Sequence, residues 1–203
     1  GGMGIAELVV NGALSGTSGM TAHNGVLGGS GTVASIVDAS GGFIEPGQGS
    51  STGILGTGSA DFNSGFGFGF VSMKLNGTNV GTQYDQLDVN GAVTLGSGTS
   101  FLTLSLGFVP THGTQFTILK NNGGSPISGT FSLLPEGGTF TKNSTTLQIS
   151  YVGGSGHDVV LTVISPWVPT ALAVDVSGNG GSSPASAPPC SRPGPTPAAP
   201  VPP

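Results

Sequence analysis

VVNGAL at residues 9–14, HNGVL at 23–27 and DVNGAV at 88–93 share one short pattern, an Asn-Gly corner followed by small and apolar residues, repeated without a strict period. Irregular self-similarity of this kind suits stacked coils whose corner loops vary in length. Between corners the apolar residues alternate. Leu87 and Val89 share a parity, as do Leu102, Leu104, Leu106 and Phe108; Phe116 and Ile118; Leu147, Ile149 and Tyr151; and Val159, Leu161 and Val163. A period of two, filled in with Ser, Thr and Gln, is the pattern of strands with one buried face. A further Asn-Gly at 76–77 and Gly pairs at 28–29, 41–42, 123–124, 137–138 and 153–154 supply tight corners. The pattern predicts an all-β chain with helices nearly absent, folded over residues 1–164 as a single-stranded parallel β-helix, or solenoid, of about seven coils at roughly 20 to 25 residues each. An antiparallel β-sandwich is the alternative.

Composition points the same way. The 203 residues include 39 Gly and 15 Pro, just over a quarter of the chain, and only 6% are charged. Ser, Thr, Asn and Gly between the apolar residues keep strand faces and turns wetted without charge, a composition that favours extracellular all-β architecture. Net charge is −5, with four basic residues spread singly at Lys74, Lys120, Lys142 and Arg192, so the basic stripe that nucleic acid requires is missing. No run approaches the about 18 apolar residues of a membrane-spanning helix. The chain opens on Gly-Gly with no export segment, so it reads as a fragment. With so few charges, little discourages pairing at the unpaired edges expected at both ends of a stack of coils.

Ten of the fifteen prolines follow Val168, and residues 165–203 read as a disordered Pro/Gly/Ser-rich tail. Cys190 within it reads as a free thiol, and Trp167 as a linker aromatic.

The residues that could carry chemistry are dispersed. Carboxylates stand at Glu7, Asp38, Glu45, Asp61, Asp85, Asp88, Glu136, Asp158 and Asp175, and only Asp85 and Asp88 lie close together. A glycosidase needs clustered acids on one face. In QYDQLDVNG, Leu87 and Val89 take the inward parity, so Asp88 points out and Asp85 belongs to a corner or a solvated strand end. His23, His112 and His157 sit in separate Gly-flanked turns without metal-ligand spacing. GGSGHDVVL at 153–161 matches a calcium nonapeptide, but one Asp cannot supply six to eight oxygens, so a Gly-rich corner before Val159 is expected there. GFGFGF at 65–70 reads as a buried Phe66, Phe68 and Phe70 ladder with a bulge or corner before Val71, Met73 and Leu75; an exposed aromatic strip for sugar stacking is the other reading. Asn76-Gly77-Thr78 and Asn143-Ser144-Thr145 fit a glycosylation pattern that composition alone would produce. The expected site list is therefore empty: no catalytic, metal or cofactor-binding residue and no enzyme.

GGSGTVASIVDASGGFIEPGQGSSTGIL at 28–55 resembles the coil of bacterial autotransporter-associated β-strand repeat proteins, which read Gly-x-Gly-Thr-Val, a strand, Gly-Gly-x-Ile-x-Pro-Gly, then Gly-x-Leu. FVSMKLNGTNVGTQYDQLDVNGAVTL at 70–95 and LSLGFVPTHGTQFTILKNNGG at 104–124 resemble the parts that follow, and 127–140 and 147–163 the closing coils. The resemblance implies a right-handed β-helix, secreted or displayed on a bacterial surface. It further implies a structural or adhesive role, with surface glycans or host matrix components as partners. A carbohydrate-binding module and a polysaccharide-processing β-helix are the alternatives.

Overall fold

The computed structural model describes residues 6–14, 16, 19–38, 41–63 and 68–165. Trp167, Asp175, Cys190, Arg192 and the rest of the Pro-rich segment lie outside them, as does Phe66. Among the described residues there is no helix, and the strands follow one another in triplets. β1 (Ala6–Val9), β2 (Ala13–Leu14) and β3 (Met20–Thr21) are followed by β4 (Gly25–Gly29), β5 (Thr32–Val33) and β6 (Ile36–Asp38). Next come β7 (Phe43–Pro46), β8 (Ile54–Thr57) and β9 (Ala60–Asp61), then β10 (Gly69–Leu75), β11 (Gln86–Val89) and β12 (Val93–Ser97). β13 (Ser100–Leu106), β14 (Gln115–Asn121) and β15 (Ser128–Thr130) complete the fifth triplet. Each strand pairs in parallel with the strand three places on, giving three sheets in the orders β1-β4-β7-β10-β13, β2-β5-β8-β11-β14 and β3-β6-β9-β12-β15.

Five triplets replace the expected seven coils, and their spacing is uneven. In-register partners in the first sheet are Ala6 and Gly25, Val26 and Phe43, Phe43 and Phe70, then Phe70 and Phe101, so the offset runs 19, 17, 27 and 31 residues. The Asn-Gly pairs do not mark equivalent positions. Asn11-Gly12 lies between β1 and β2, Asn24-Gly25 leads into β4, and Asn90-Gly91 lies between β11 and β12, three different corners that demand the same sharp change of direction. Asn76-Gly77 opens a surface loop, residues 76–85, held by bridges from Leu75 and Val80 to Tyr84.

After the fifth triplet the pairing changes sense. β16 (Thr139–Lys142), β17 (Thr145–Gly153) and β18 (Asp158–Ser165) are antiparallel, and β18 docks antiparallel on β14. The expected closing coils over 127–140 and 147–163 are thus hairpins from β16 onward. Connection length is the reason: a parallel return takes a dozen residues or more, whereas only Gly154 to His157 separate β17 from β18. Asn143 and Ser144 join β16 to β17 with both φ angles positive, at 47° and 63°, the backbone of a tight primed hairpin turn.

Leu87, Val89, Leu104, Leu106, Phe116, Ile118, Leu147, Ile149, Leu161 and Val163, expected to share one core, are all buried and belong to a single cluster. Burying each contributes about 1.5–3 kcal/mol. The hairpins cover the β13 end of this core. Tyr151 anchors them there: its hydroxyl donates to Leu134 O at 2.7 Å and accepts from Phe131 N–H at 2.9 Å, and its own N–H donates to Glu136 Oε2 at 2.6 Å.

Close approach of successive triplets explains the glycines. After the strands of the second sheet, a Cβ on Gly58 would collide with Ala34 O, one on Gly91 with Gly58 O, and one on Gly123 with Gly91 O. Gly12 has nothing nearby. Gly91→Ala should therefore cost about 1–3 kcal/mol through overpacking, and Gly12→Ala should be neutral or add up to about 1 kcal/mol. Urea denaturation of the two variants measures the contrast between two identical dipeptides.

Burial pushes both described tyrosines above the usual phenol range, and Tyr151, with the Glu136 carboxylate adding to the effect, up to about 12. An unfolded phenol ionises near about 10. The folded state therefore holds a proton that the unfolded state has lost, and stability present below pH about 10 should fall as pH rises towards 12. Absorbance titration near 295 nm should show one phenol titrating at about 12, moving to about 10 in denaturant.

Candidate functional site

The outward face of the first sheet holds the densest set of functional side chains. Glu7, Val26, Phe43, Phe70 and Phe101 are in register there, one per strand, each beside an inward partner: Leu8, Leu27, Ile44, Val71 and Leu102. The rings stack. Phe43 and Phe70 have centroids 4.8 Å apart at 17°, Phe70 and Phe101 are 5.6 Å apart at 24°, and Phe68 packs edge-on against Phe101 at 5.3 Å. Phe68 is 55% exposed and the other three rings are half-buried. This corrects the buried ladder expected for Phe68 and Phe70. No corner separates Phe70 from Val71 either, because β10 runs unbroken through both and the change of parity is simply its outward and inward faces. Apart from Phe68 the rings give their faces to one another and their edges to solvent, so a sugar finds little open ring face to stack on.

Further along β7 and β10 lies a charged clamp. Lys74 Nζ is 3.1 Å from both Glu45 Oε1 and Asp85 Oδ2 and donates to Pro46 O at 3.0 Å. Asp85 Oδ1 accepts from Gly53 N–H at 2.9 Å, and Oδ2 from Lys74 N–H at 2.8 Å. Asp85 is 0% exposed. It is no solvated strand end but a sealed carboxylate that ties the β7–β8 connection to β10 and to the 76–85 loop. Burial pushes its pKa above the ordinary carboxylate range, against the opposing pull of the Lys74 and Gly53 amides and the Lys74 ammonium. A carboxylate that no substrate can reach cannot serve as an acid or base on one.

Asp88 faces outward on β11 and accepts from the Asn122 side-chain amide. It shares no contact with Asp85 that would make an acid pair. His23 and His112 are exposed, in the turns before β4 and β14, and His157 lies in the β17–β18 turn near Ser155. Asp158, the carboxylate of the nonapeptide, is buried and accepts from Asn121 N–H at 2.8 Å, which fastens the β17–β18 hairpin to β14. Among the described residues no group of three His, Cys, Asp or Glu lies close enough together to hold a metal ion. No described helix is long and apolar enough to cross a membrane.

Sequence reasoning missed Phe43, Phe101, Glu45 and Lys74. A signal for the first two exists: Phe followed by an aliphatic residue recurs at 43–44, 70–71 and 101–102. Nothing local announces the clamp, whose members come from the third triplet (Glu45) and the fourth (Lys74 and Asp85). No family model matches the sequence, and no curated protein matches it either.

Asp85→Asn leaves Lys74 paired with Glu45 and Pro46 O but takes the charged acceptor from the Gly53 and Lys74 amides; since a hydrogen bond to a charged group is worth about 1.5–3 kcal/mol, urea denaturation should show a loss of about that size.

Proposed function

We propose that this chain is a right-handed, single-stranded parallel β-helix and serves as a non-enzymatic structural or adhesive segment of a secreted or cell-surface bacterial protein. The observation that carries this reading is the parallel pairing of each strand of the first four triplets with the third strand on, around one core. Parallel crossovers are right-handed in nearly all sheets, which favours that hand. The order of the repeat-like motifs agrees: Gly-x-Gly-Thr-Val ends in β5, Phe-Ile-Glu-Pro is β7, and Gly-Ile-Leu leads into β8. This supports kinship with autotransporter-associated β-strand repeat passengers.

The role follows from how the side chains are used. Asp85, Lys74 and Asp158 are spent on holding successive layers together. Outward positions such as Ser72, Thr103 and Ser105 are uncharged hydroxyls, suited to a surface that stays wetted at any ionic strength. The Phe43, Phe70, Phe101 and Phe68 row is an apolar strip on an otherwise polar face and is the adhesive contact. Phe68, with much of its ring open, favours a second reading as a carbohydrate-binding surface.

Binding of the chain to immobilised matrix proteins and to a glycan panel separates the two. Adhesion should fall at least tenfold in Phe68→Ser/Phe101→Ser on the protein surfaces, with glycans bound weakly or not at all; tight glycan binding lost in that variant would instead favour the carbohydrate module. Deleting residues 6–24 removes one full layer and should leave the β circular dichroism signal and cooperative unfolding intact, as it does for stacked repeats. Collapse of the remainder would overturn the β-helix reading.

A further inference from the structure

Lys74 is buried, unlike the exposed Lys120 and Lys142, and the Asp85 side chain beside it is sealed from solvent. An amine and an acid are thus held in contact, with a second carboxylate on the amine. Nζ lies 3.1 Å from Asp85 Oδ2 and 3.1 Å from Glu45 Oε1, and its hydrogen bonds to Glu45 Oε1 and Pro46 O fix it there. Asp85 cannot turn away, because Oδ1 accepts from Gly53 N–H and Oδ2 from the N–H of Lys74 itself. Of the three side chains only Glu45, 28% exposed, has ready access to water; Lys74 is 9% exposed. Joining the amine to the acid would remove two charges from a site where each carries a desolvation penalty.

We infer that Lys74 and Asp85 condense in the folded chain, forming an isopeptide bond between Nζ and Cγ with the loss of one water, and that Glu45 carries the proton this requires. The inference stands on the geometry of the clamp and needs neither the β-helix nor the adhesive reading.

The step balances without any outside reactant. The Lys74 ammonium first passes one proton to Asp85 Oδ2 across their 3.1 Å contact, leaving a free amine and a carboxylic acid. Burial already holds the Asp85 carboxyl above its ordinary range, which favours that protonated acid. The amine lone pair then attacks Cγ, the atom next to Oδ2, and the electron pair of the C=O bond moves onto Oδ1. Gly53 N–H, donating to Oδ1 at 2.9 Å, stabilises the charge that develops there. Glu45 Oε1 takes a second proton from Nζ and delivers it to Oδ2, which leaves as water as the C=O bond reforms. Glu45 ends as it began. Holding the two groups in contact supplies the orientation that makes such a condensation fast. The product closes a covalent ring through residues 74–85, so the 76–85 loop can no longer peel away from β10.

Intact mass spectrometry of the full chain tests this, with circular dichroism recorded on every sample. The folded, unmutated chain should weigh one water less than its sequence. Trypsin cuts after a free lysine, so the unfolded chain should resist cutting at Lys74, and thermolysin should release a branched peptide that joins Lys74 to Asp85. Lys74→Arg and Asp85→Ala should each show the full sequence mass. Asp85→Asn is no control, because its amide can release ammonia to the same attack and reach the same product; the stability loss given for it above compares chains whose mass shows the bond unformed. Glu45→Gln keeps an acceptor beside Nζ but cannot carry the proton, so the bond should form about a hundredfold more slowly, read by mass in samples quenched with acid at intervals after cell-free synthesis. A folded, unmutated chain that keeps its full mass on prolonged incubation overturns the inference and leaves an ion pair. A water deficit that persists in Lys74→Arg, or that maps to a succinimide within one peptide, overturns it as well. An unchanged rate in Glu45→Gln overturns the part assigned to Glu45.

Discussion

Neighbouring strands in a sheet lie about 4.8 Å apart, and five successive triplets held at that spacing leave no slack anywhere along three sheets. Whatever side chain one layer presents, the next must match within that distance. The Phe43–Phe70 centroid separation of 4.8 Å is the strand spacing itself, expressed in side chains. The glycine column at 58, 91 and 123 has the same origin, since the carbonyl of one corner lies where the next corner's Cβ would be. Aliphatic columns inside, stacked rings outside and bare corners between are three responses to one distance.

Charge is handled under the same constraint. Like charges in register would repel at every layer, and a chain with 6% charged residues avoids the problem mainly by having few. Several of those it keeps are matched across layers: Lys74 of the fourth triplet pairs with Glu45 of the third as well as with Asp85 beside β11, while Asp88 and Lys120 are register partners on the second sheet. Sealing Asp85 removes it from solvent chemistry and fixes the 76–85 loop to the layer beneath. Insertions at such corners lengthen the offset from 19 to 31 residues without disturbing the strands.

Strand parity was legible in the sequence because each strand has one buried face, and the ten residues expected to share one core, Leu87 to Val163, are all buried. The layer repeat was harder to read. Asn-Gly draws the eye at 11–12, 24–25 and 90–91, yet it reports local backbone curvature, which all three kinds of corner share. Register is reported by what stacks, and the Phe-aliphatic pairs at 43–44, 70–71 and 101–102 carry it with offsets too irregular for a period search to find. The same parity argument placed Phe68 and Phe70 inside, because alternation identifies two faces without saying which is inner; only the flanking Val71, Met73 and Leu75, all buried, decide that. Asp85 looked like a turn residue because its partners, Lys74 and Gly53, lie 11 and 32 positions away in the chain. The antiparallel ending was visible in principle, since four residues between β17 and β18 cannot carry a parallel return.

That ending also gives folding a direction in time. The β17–β18 turn closes a loop of four residues, whereas Leu87 and Leu119, partners in the second sheet, are 32 residues apart. Each doubling of a loop costs about 0.6 kcal/mol of closure entropy, so the parallel contact starts roughly 2 kcal/mol behind. Closure entropy alone therefore favours the β17–β18 contact over that parallel one, and β18, once paired with β17, offers β14 an ordered edge.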